Sequence, residues 1–191
     1  LLPAEAMRDT RHPDLGWRLL APVGASANAP GSDAEPTSLD MWHAVRIGAA
    51  VPQGPVDLTP ERALMLEAGL DRLGAVDFEK GCYVGQEVTA RTHYRGLVKR
   101  RLLPLCCEGP PPAIGSEIIW QGKVIATSKT AAACPDHAGH SVALALLKLD
   151  DIHSIIGQTT ATSASDLMIN GQAAQLCPPA WCLPLPAPPQ R

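Results

Sequence analysis

Leu97-Val98-Lys99-Arg100-Arg101-Leu102-Leu103-Pro104-Leu105-Cys106 marks a change of texture in the chain. Upstream, apolar residues recur at helical spacing. From Lys99 onward they come in short runs punctuated by glycine and proline, which is how strands read. We expect strands over 99–106, 117–121, 123–130 and 141–149, with a weaker run near 159–163. Gln121-Gly122 falls between two of them and suits a tight hairpin turn. Short, closely spaced strands with turn signals describe a small antiparallel β-barrel. We therefore place a boundary near Gly96, with a barrel over 97–177 and a tail over 178–191. That tail has six prolines in its fourteen residues, and we expect it to be extended and unpacked.

Working back from Gly96, Gln86 to Tyr94 reads as a helix closed by that glycine. Another is expected from Thr59-Pro60, where Thr can cap and Pro is tolerated in the first turn, to Gly69. Ser38 precedes a third, Leu39 to Ala49, which Pro52, Gly54 and Pro55 interrupt. Residues 22–37 are rich in Pro, Gly, Ala, Ser and Asp and read as loop. Leu15 to Leu20 reads as a short strand. The fold class is α+β, with helices and short strands first and the barrel second.

The composition is 46% hydrophobic and 18% charged, and the net charge is −3. No apolar run is long enough to span a bilayer. The chain opens Leu1-Leu2-Pro3-Ala4-Glu5, with neither the n-region of a signal peptide nor a Met, and we expect it to begin inside a larger protein. Charge is unevenly spread. Lys80, Arg91, Arg95, Lys99, Arg100 and Arg101 face Glu87 alone, a local +5 against −8 elsewhere. Such a patch can draw an anion to an acidic protein. The six cysteines are irregularly spaced and two are adjacent. They read as mostly reduced thiols in a cytosol-like compartment.

Lys80-Gly81-Cys82-Tyr83-Val84-Gly85-Gln86-Glu87 concentrates the chemistry. Cys82 lies between Gly81 and Gly85, so the backbone can turn sharply and approach a ligand. Lys80 and the following helix terminus both favour a thiolate. Gln86 and Glu87 open the helix and can orient polar ligands. A purely structural thiol remains the alternative.

That octapeptide resembles the K-G-C-Y/F-x-G-Q-E signature of the YgfZ family, relatives of the glycine cleavage T-protein. Asp9 to Arg18, with Leu15-Gly16-Trp17-Arg18, is similar to the family's D-P-R-x-x-x-L-G-W-R segment, although Thr10 replaces the usual Pro. Arg46-Ile47-Gly48 with Pro52 and Gly54 matches another block. Leu66-Glu67-Ala68 with Leu70-Asp71 resembles L-E-A-N-L-D, with Gly69 at the usual Asn. The resemblance covers roughly residues 9–150. It implies a partial T-protein-like folate-binding domain over 1–96 and a tetrahydrofolate-binding protein that assists iron–sulfur protein assembly or repair.

On that resemblance, Glu67 would pair with the N–H edge of a pteridine, with Arg91, Arg95 or Arg101 meeting the anionic tail and Tyr83 stacking. Cys82 would be the functional thiol, with Lys80 beside it. Implied partners are folate and iron–sulfur client or scaffold proteins. The implied location is cytoplasmic, or the mitochondrial matrix in a eukaryote. For each Arg a solvated surface charge is the competing reading, and for Arg46 a structural ion pair. An aminomethyl transferase is the rival enzyme reading, whose catalytic Asp would lie upstream of Leu1. A tRNA-interacting modification factor is the third, weakened by the scarcity of aromatic stacking residues. Cys134, His137 and His140 have ligand-like spacing, but a fourth ligand is wanting and no metal site is assigned. Cys106 and Cys107, on a strand, point to opposite faces. The four tryptophans read as core or barrel-seam residues.

Overall fold

The computed structural model describes residues 6–20, 22, 35–158 and 166–187. In chain order these form β1 (Met7–Arg8), β2 (Trp17–Arg18), α1 (Leu39–Gly48), α2 (Gln86–Tyr94), β3 (Arg100–Glu108), β4 (Glu117–Trp120), β5 (Lys123–Ala133), β6 (His140–Lys148), α3 (Leu149–Gln158), β7 (Leu167–Ile169) and β8 (Gln172–Leu176). The last six strands close a barrel in the order β3-β6-β5-β4-β7-β8, every pair antiparallel. The expected barrel is therefore present. The expected strand near 159–163 lies outside the described residues. The strands β7 and β8, and the helix α3, had no signal in our reading.

Strands β3 and β6 explain why alternation is weak in the sequence. They pair from Arg100↔Lys148 to Glu108↔His140, and both bury long unbroken runs. Leu103, Leu105, Cys107, Ala143, Ala145 and Leu147 point into the barrel core. Leu102, Val142 and Leu144 point outward and are covered by Ala44 and Ile47 of α1. A strand covered on both faces reads as a continuous apolar run. Helix α3 adds Leu149, Ile152 and Ile155 to the interior.

Helix α1 begins where expected, with the Ser38 side chain accepting from Met41 N at 3.2 Å. It is locked to the barrel by a buried ion pair. Arg46 Nη1 donates to Asp57 Oδ2 at 2.8 Å and to the Val51 carbonyl, and Nη2 donates to Thr130 Oγ1 on β5 at 2.9 Å. Thr130 in turn donates to Asp57 through both its amide and its hydroxyl. Arg46 is fully buried, which settles it as a structural residue.

Three expectations need correction. No helix forms over Thr59–Gly69; the segment is a series of single turns. Glu61 and Gly69 both have positive φ, 60° and 75°, which a right-handed helix does not accept. The tail is not unpacked through Ala187. Trp181 Nε1 donates to the Ala49 carbonyl at 2.9 Å, and Cys182 is 5% exposed. Arg72 donates to the carbonyls of Trp181 and Pro184. Proline removes donors but leaves every carbonyl available, so a proline-rich segment can still be tied down. Finally, Trp17 is 55% exposed and is no core residue.

Candidate functional site

The loop before α2 is held by local bonds. Asp77 Oδ1 accepts from the amides of Glu79 and Lys80 at 2.9 and 3.2 Å. Such a turn suits a short carboxylate two residues upstream. Phe78 stacks on His93 of α2, ring centroids 3.9 Å apart, and also touches the barrel core. At the other end Gln86 Oε1 reaches back to the Tyr83 amide at 3.0 Å. Gly85 takes the N-cap position of α2 with φ 85°, a conformation that favours glycine. Gly81 has no positive φ, and an added Cβ would meet nothing within 4 Å. Nothing described in this chain requires a glycine there.

Cys82 is presented on this loop as an exposed free thiol. The other five cysteines differ. Cys106 and Cys177 form a disulfide, which corrects the reading of Cys106 and Cys177 as free thiols. Cys107 and Cys182 are buried, and burial pushes each thiol up to about 11. Burial also raises Cys134. The Lys80 ammonium lies 4.9 Å from the centroid of the Tyr83 ring. Its observed partner is therefore an aromatic face, an attraction worth about 0.5–1 kcal/mol at exposed sites.

Glu67 is 6% exposed and stands on a turn sewn to β3, where Leu102 N donates to the Glu67 carbonyl at 2.9 Å. Its carboxylate accepts from Arg100 Nε at 3.2 and 3.0 Å, and Arg100 Nη2 lies 3.0 Å from Oε2. It borders two cavities. One, of about 260 Å³, also presents Asp57, Thr59, Arg62, Arg100 and Lys129. The other, of about 70 Å³, is an apolar cleft against Val88, Thr89 and Thr92 of α2.

The structure thus brings Glu67 together with Arg100, Arg62 and Lys129, none of which stood among the expected site residues. Tyr83, Gln86, Glu87, Arg91 and Arg95 do not line the larger cavity. Glu87 and Arg91 are exposed on α2, and Arg95 is exposed just past its end. Arg101 cannot serve as a surface cation. It is buried, donates to the Leu66 carbonyl and pairs with Asp71 at 3.5 Å. The signal that distinguishes Arg100 from Arg101 is strand alternation, because neighbours point to opposite faces. Among the described residues, no group of three or more His, Cys, Asp or Glu is placed to hold a metal ion.

The closed barrel belongs to a known class. Residues 99–183 match the family model described as CAF17, C-terminal beta-barrel domain, and the chain contains that domain. Across more of its length the chain is similar to mitochondrial iron–sulfur cluster assembly factors. It is 39% identical to iron–sulfur cluster assembly factor IBA57 of Mus musculus over 157 residues, covering 82% of this chain and 43% of the relative. It is 40% identical to the Homo sapiens IBA57 over 144 residues, covering 74% and 38%. A homologue from Pyricularia oryzae is 45% identical over 98 residues, covering 51% and 25%. The chain spans less than half the length of each of these relatives.

Proposed function

We propose that this chain is part of an iron–sulfur cluster assembly factor in which Cys82 is the functional thiol. The observation that carries the reading is the isolation of Cys82. It is the exposed free thiol among the described residues, on a loop fixed by Asp77, Phe78 and Gln86. Thiolate sulfur is the usual protein ligand of an iron–sulfur cluster, and the cluster is here cargo. The open space at Gly81 leaves room for a cluster-carrying partner to approach. The relatives' role as iron–sulfur cluster assembly factors supports the same reading, and their mitochondrial location is proposed for this chain. Among the described residues no helix is long and apolar enough to cross a membrane.

The second part of the proposal is tetrahydrofolate at Glu67. The residues suit the group. A carboxylate at 6% exposure matches the N–H edge of a pteridine, and Arg62 and Lys129 in the same cavity suit an anionic tail. Arg100 already pairs with Glu67 and would hold the carboxylate oriented. The cavity of about 260 Å³ is of pteridine rather than whole-folate size; full ligand sites run to roughly 300–1,000 Å³. Bound folate would supply a one-carbon carrier; Glu67, Arg62 and Lys129 bind and orient it.

The test uses the full-length protein. Cluster transfer from a loaded donor to an apo-client, followed by visible absorbance, should be lost on Cys82→Ser. Calorimetry with tetrahydrofolate should show binding that Glu67→Gln weakens about tenfold or more, as expected when a charged hydrogen-bond pair is lost. Unchanged transfer by Cys82→Ser sinks the thiol role. Equal folate affinity for wild type and Glu67→Gln sinks the pteridine assignment alone.

A further inference from the structure

The Cys106–Cys177 bridge stands apart from the Cys82 loop and from Glu67, and neither role uses it. It sits at the seam that closes the barrel. Strand β8 meets β3 through Leu105↔Leu176, Cys106↔Gln175 and Cys107↔Ala174, and Cys177 N donates to the Pro104 carbonyl at 3.0 Å just beyond. The bridge links positions 71 residues apart, with Cα atoms 6.0 Å apart. C-terminal to it runs a strap, residues 178–187. Trp181 of that strap packs against Gly69, where an added Cβ would lie 3.1 Å from the ring. Trp181 and Pro184 receive Arg72, and His153 Nε2 on α3 donates to the Pro186 carbonyl at 2.8 Å. Gly69 is two residues from Glu67. The bridge is therefore one end of a brace whose other end supports the Glu67 turn.

A second observation concerns access. Cys106 lines an open cavity of about 130 Å³ together with Glu108, His140 and Gln175, and both bridged cysteines are only partly buried. The free thiols nearest in sequence are shielded. Cys107 is 1% and Cys182 5% exposed, and burial keeps both protonated near neutrality. A thiol that is not ionised does not attack a disulfide. The bridge is thus protected from its own neighbours but open to a small molecule. In compartments that keep thiols reduced, a bridge of this kind is usually transient or redox-sensing.

We propose that Cys106–Cys177 is a thiol–disulfide exchange site for a small thiol of the glutathione class, entering through the cavity at Cys106, and that its opening releases the C-terminal strap. The thiolate attacks Cys106 Sγ. A mixed disulfide forms there, the Cys106–Cys177 bond breaks, and the departing Cys177 sulfur takes a proton from water. A second thiol then displaces Cys106. Two thiols are oxidised to one disulfide and the protein gains two thiols. The proposal is independent of the cluster and folate roles.

The experiment is a redox titration of the full-length protein in glutathione buffers. Bridged peptides are mapped by mass spectrometry, with melting and hydrogen exchange measured at each end point. Under oxidising conditions a Cys106–Cys177 peptide is expected. Reduction should lower the Tm by several degrees, as expected when a cross-link closing a loop of this length is opened. It should also speed exchange across 178–187 at least tenfold. With glutathione disulfide, Cys177→Ser should take up glutathione at Cys106 faster than Cys106→Ser does at Cys177. Absence of the bridged peptide at every potential overturns the proposal, as does reduction that leaves exchange over 178–187 unchanged. Equal or reversed uptake by the two variants overturns entry through the Cys106 cavity. The wild-type titration stands even if neither variant folds.

Discussion

In β3 the residues from Arg101 to Leu105 are buried without a break, whereas α2 buries none of its nine residues. The two elements are neighbours in sequence, separated by a few residues, and similar in length. Packing dictates one and leaves the other free. Leu103 and Leu105 must be large and apolar because the barrel interior surrounds them. Val84 and Val88 are 103% and 68% exposed, and Tyr94, 70% exposed, meets the ring edges of Phe78 and His93 rather than the barrel core. Residue choice on α2 and its loop therefore answers to something the barrel does not supply. Function is expected where residue identity is tightly patterned but packing does not require it.

The comparison predicts a graded set of effects. The largest is at Arg46. Removing one partner of a buried pair strands the other, so Arg46→Ala should cost about 3–5 kcal/mol. Urea denaturation read by far-UV circular dichroism checks it; a loss under about 1 kcal/mol would mean the network is dispensable. Next comes Leu103→Ala, which empties part of the barrel interior and should cost about 2–5 kcal/mol. If it costs no more than Val88→Ser on α2, the contrast between the two regions fails. Gly69→Ala should cost about 1–2 kcal/mol, through its positive φ and the Trp181 ring. Trp181→Ala should remove the steric part of that penalty, so the two changes should be non-additive in a double-mutant cycle.

These positions also show how far the sequence could be read. The barrel was legible because β3, β5 and β6 are long and their apolar runs end at glycine, proline or charge. Helix α2 was legible to the residue, Gln86 to Tyr94, because Gly85 and Gly96 bracket it. The strand β7 was missed because it spans only three residues, and β8 because Gln172–Leu176 carries no β-branched or aromatic residue. Thr59–Gly69 looked helical because Leu64, Leu66 and Leu70 are apolar. The positive φ at Glu61 is a tertiary demand with no local signal. At the candidate site, Glu67 and Cys82 could be named from sequence. Arg62 and Lys129 could not, because they come to share a cavity with Glu67 only through the packing of the turns onto the barrel.

A smaller effect concerns the N-terminal hairpin. Hydrogen bonds from Arg11, with Arg18 beside it, hold the buried Asp9 carboxyl well below the usual carboxylate range. A lowered folded-state value means the stabilisation is present above the unfolded value of about 3.9 and is lost as pH falls below it. Amides of 7–18 should therefore gain exchange on acidification before those of β3 and β6 do. Simultaneous loss would tie the hairpin to the barrel's stability and contradict its independence.

Cys82→Ser separates the two regions most cleanly, because it alters an exposed side chain and leaves every barrel contact in place. The full-length variant is introduced into cells lacking the protein, with iron–sulfur enzyme activity and the melting temperature of the purified variant measured together. The account predicts a Tm within about 1–2 °C of wild type, as for an exposed substitution, and no recovery of enzyme activity. Full recovery of activity by Cys82→Ser would contradict it.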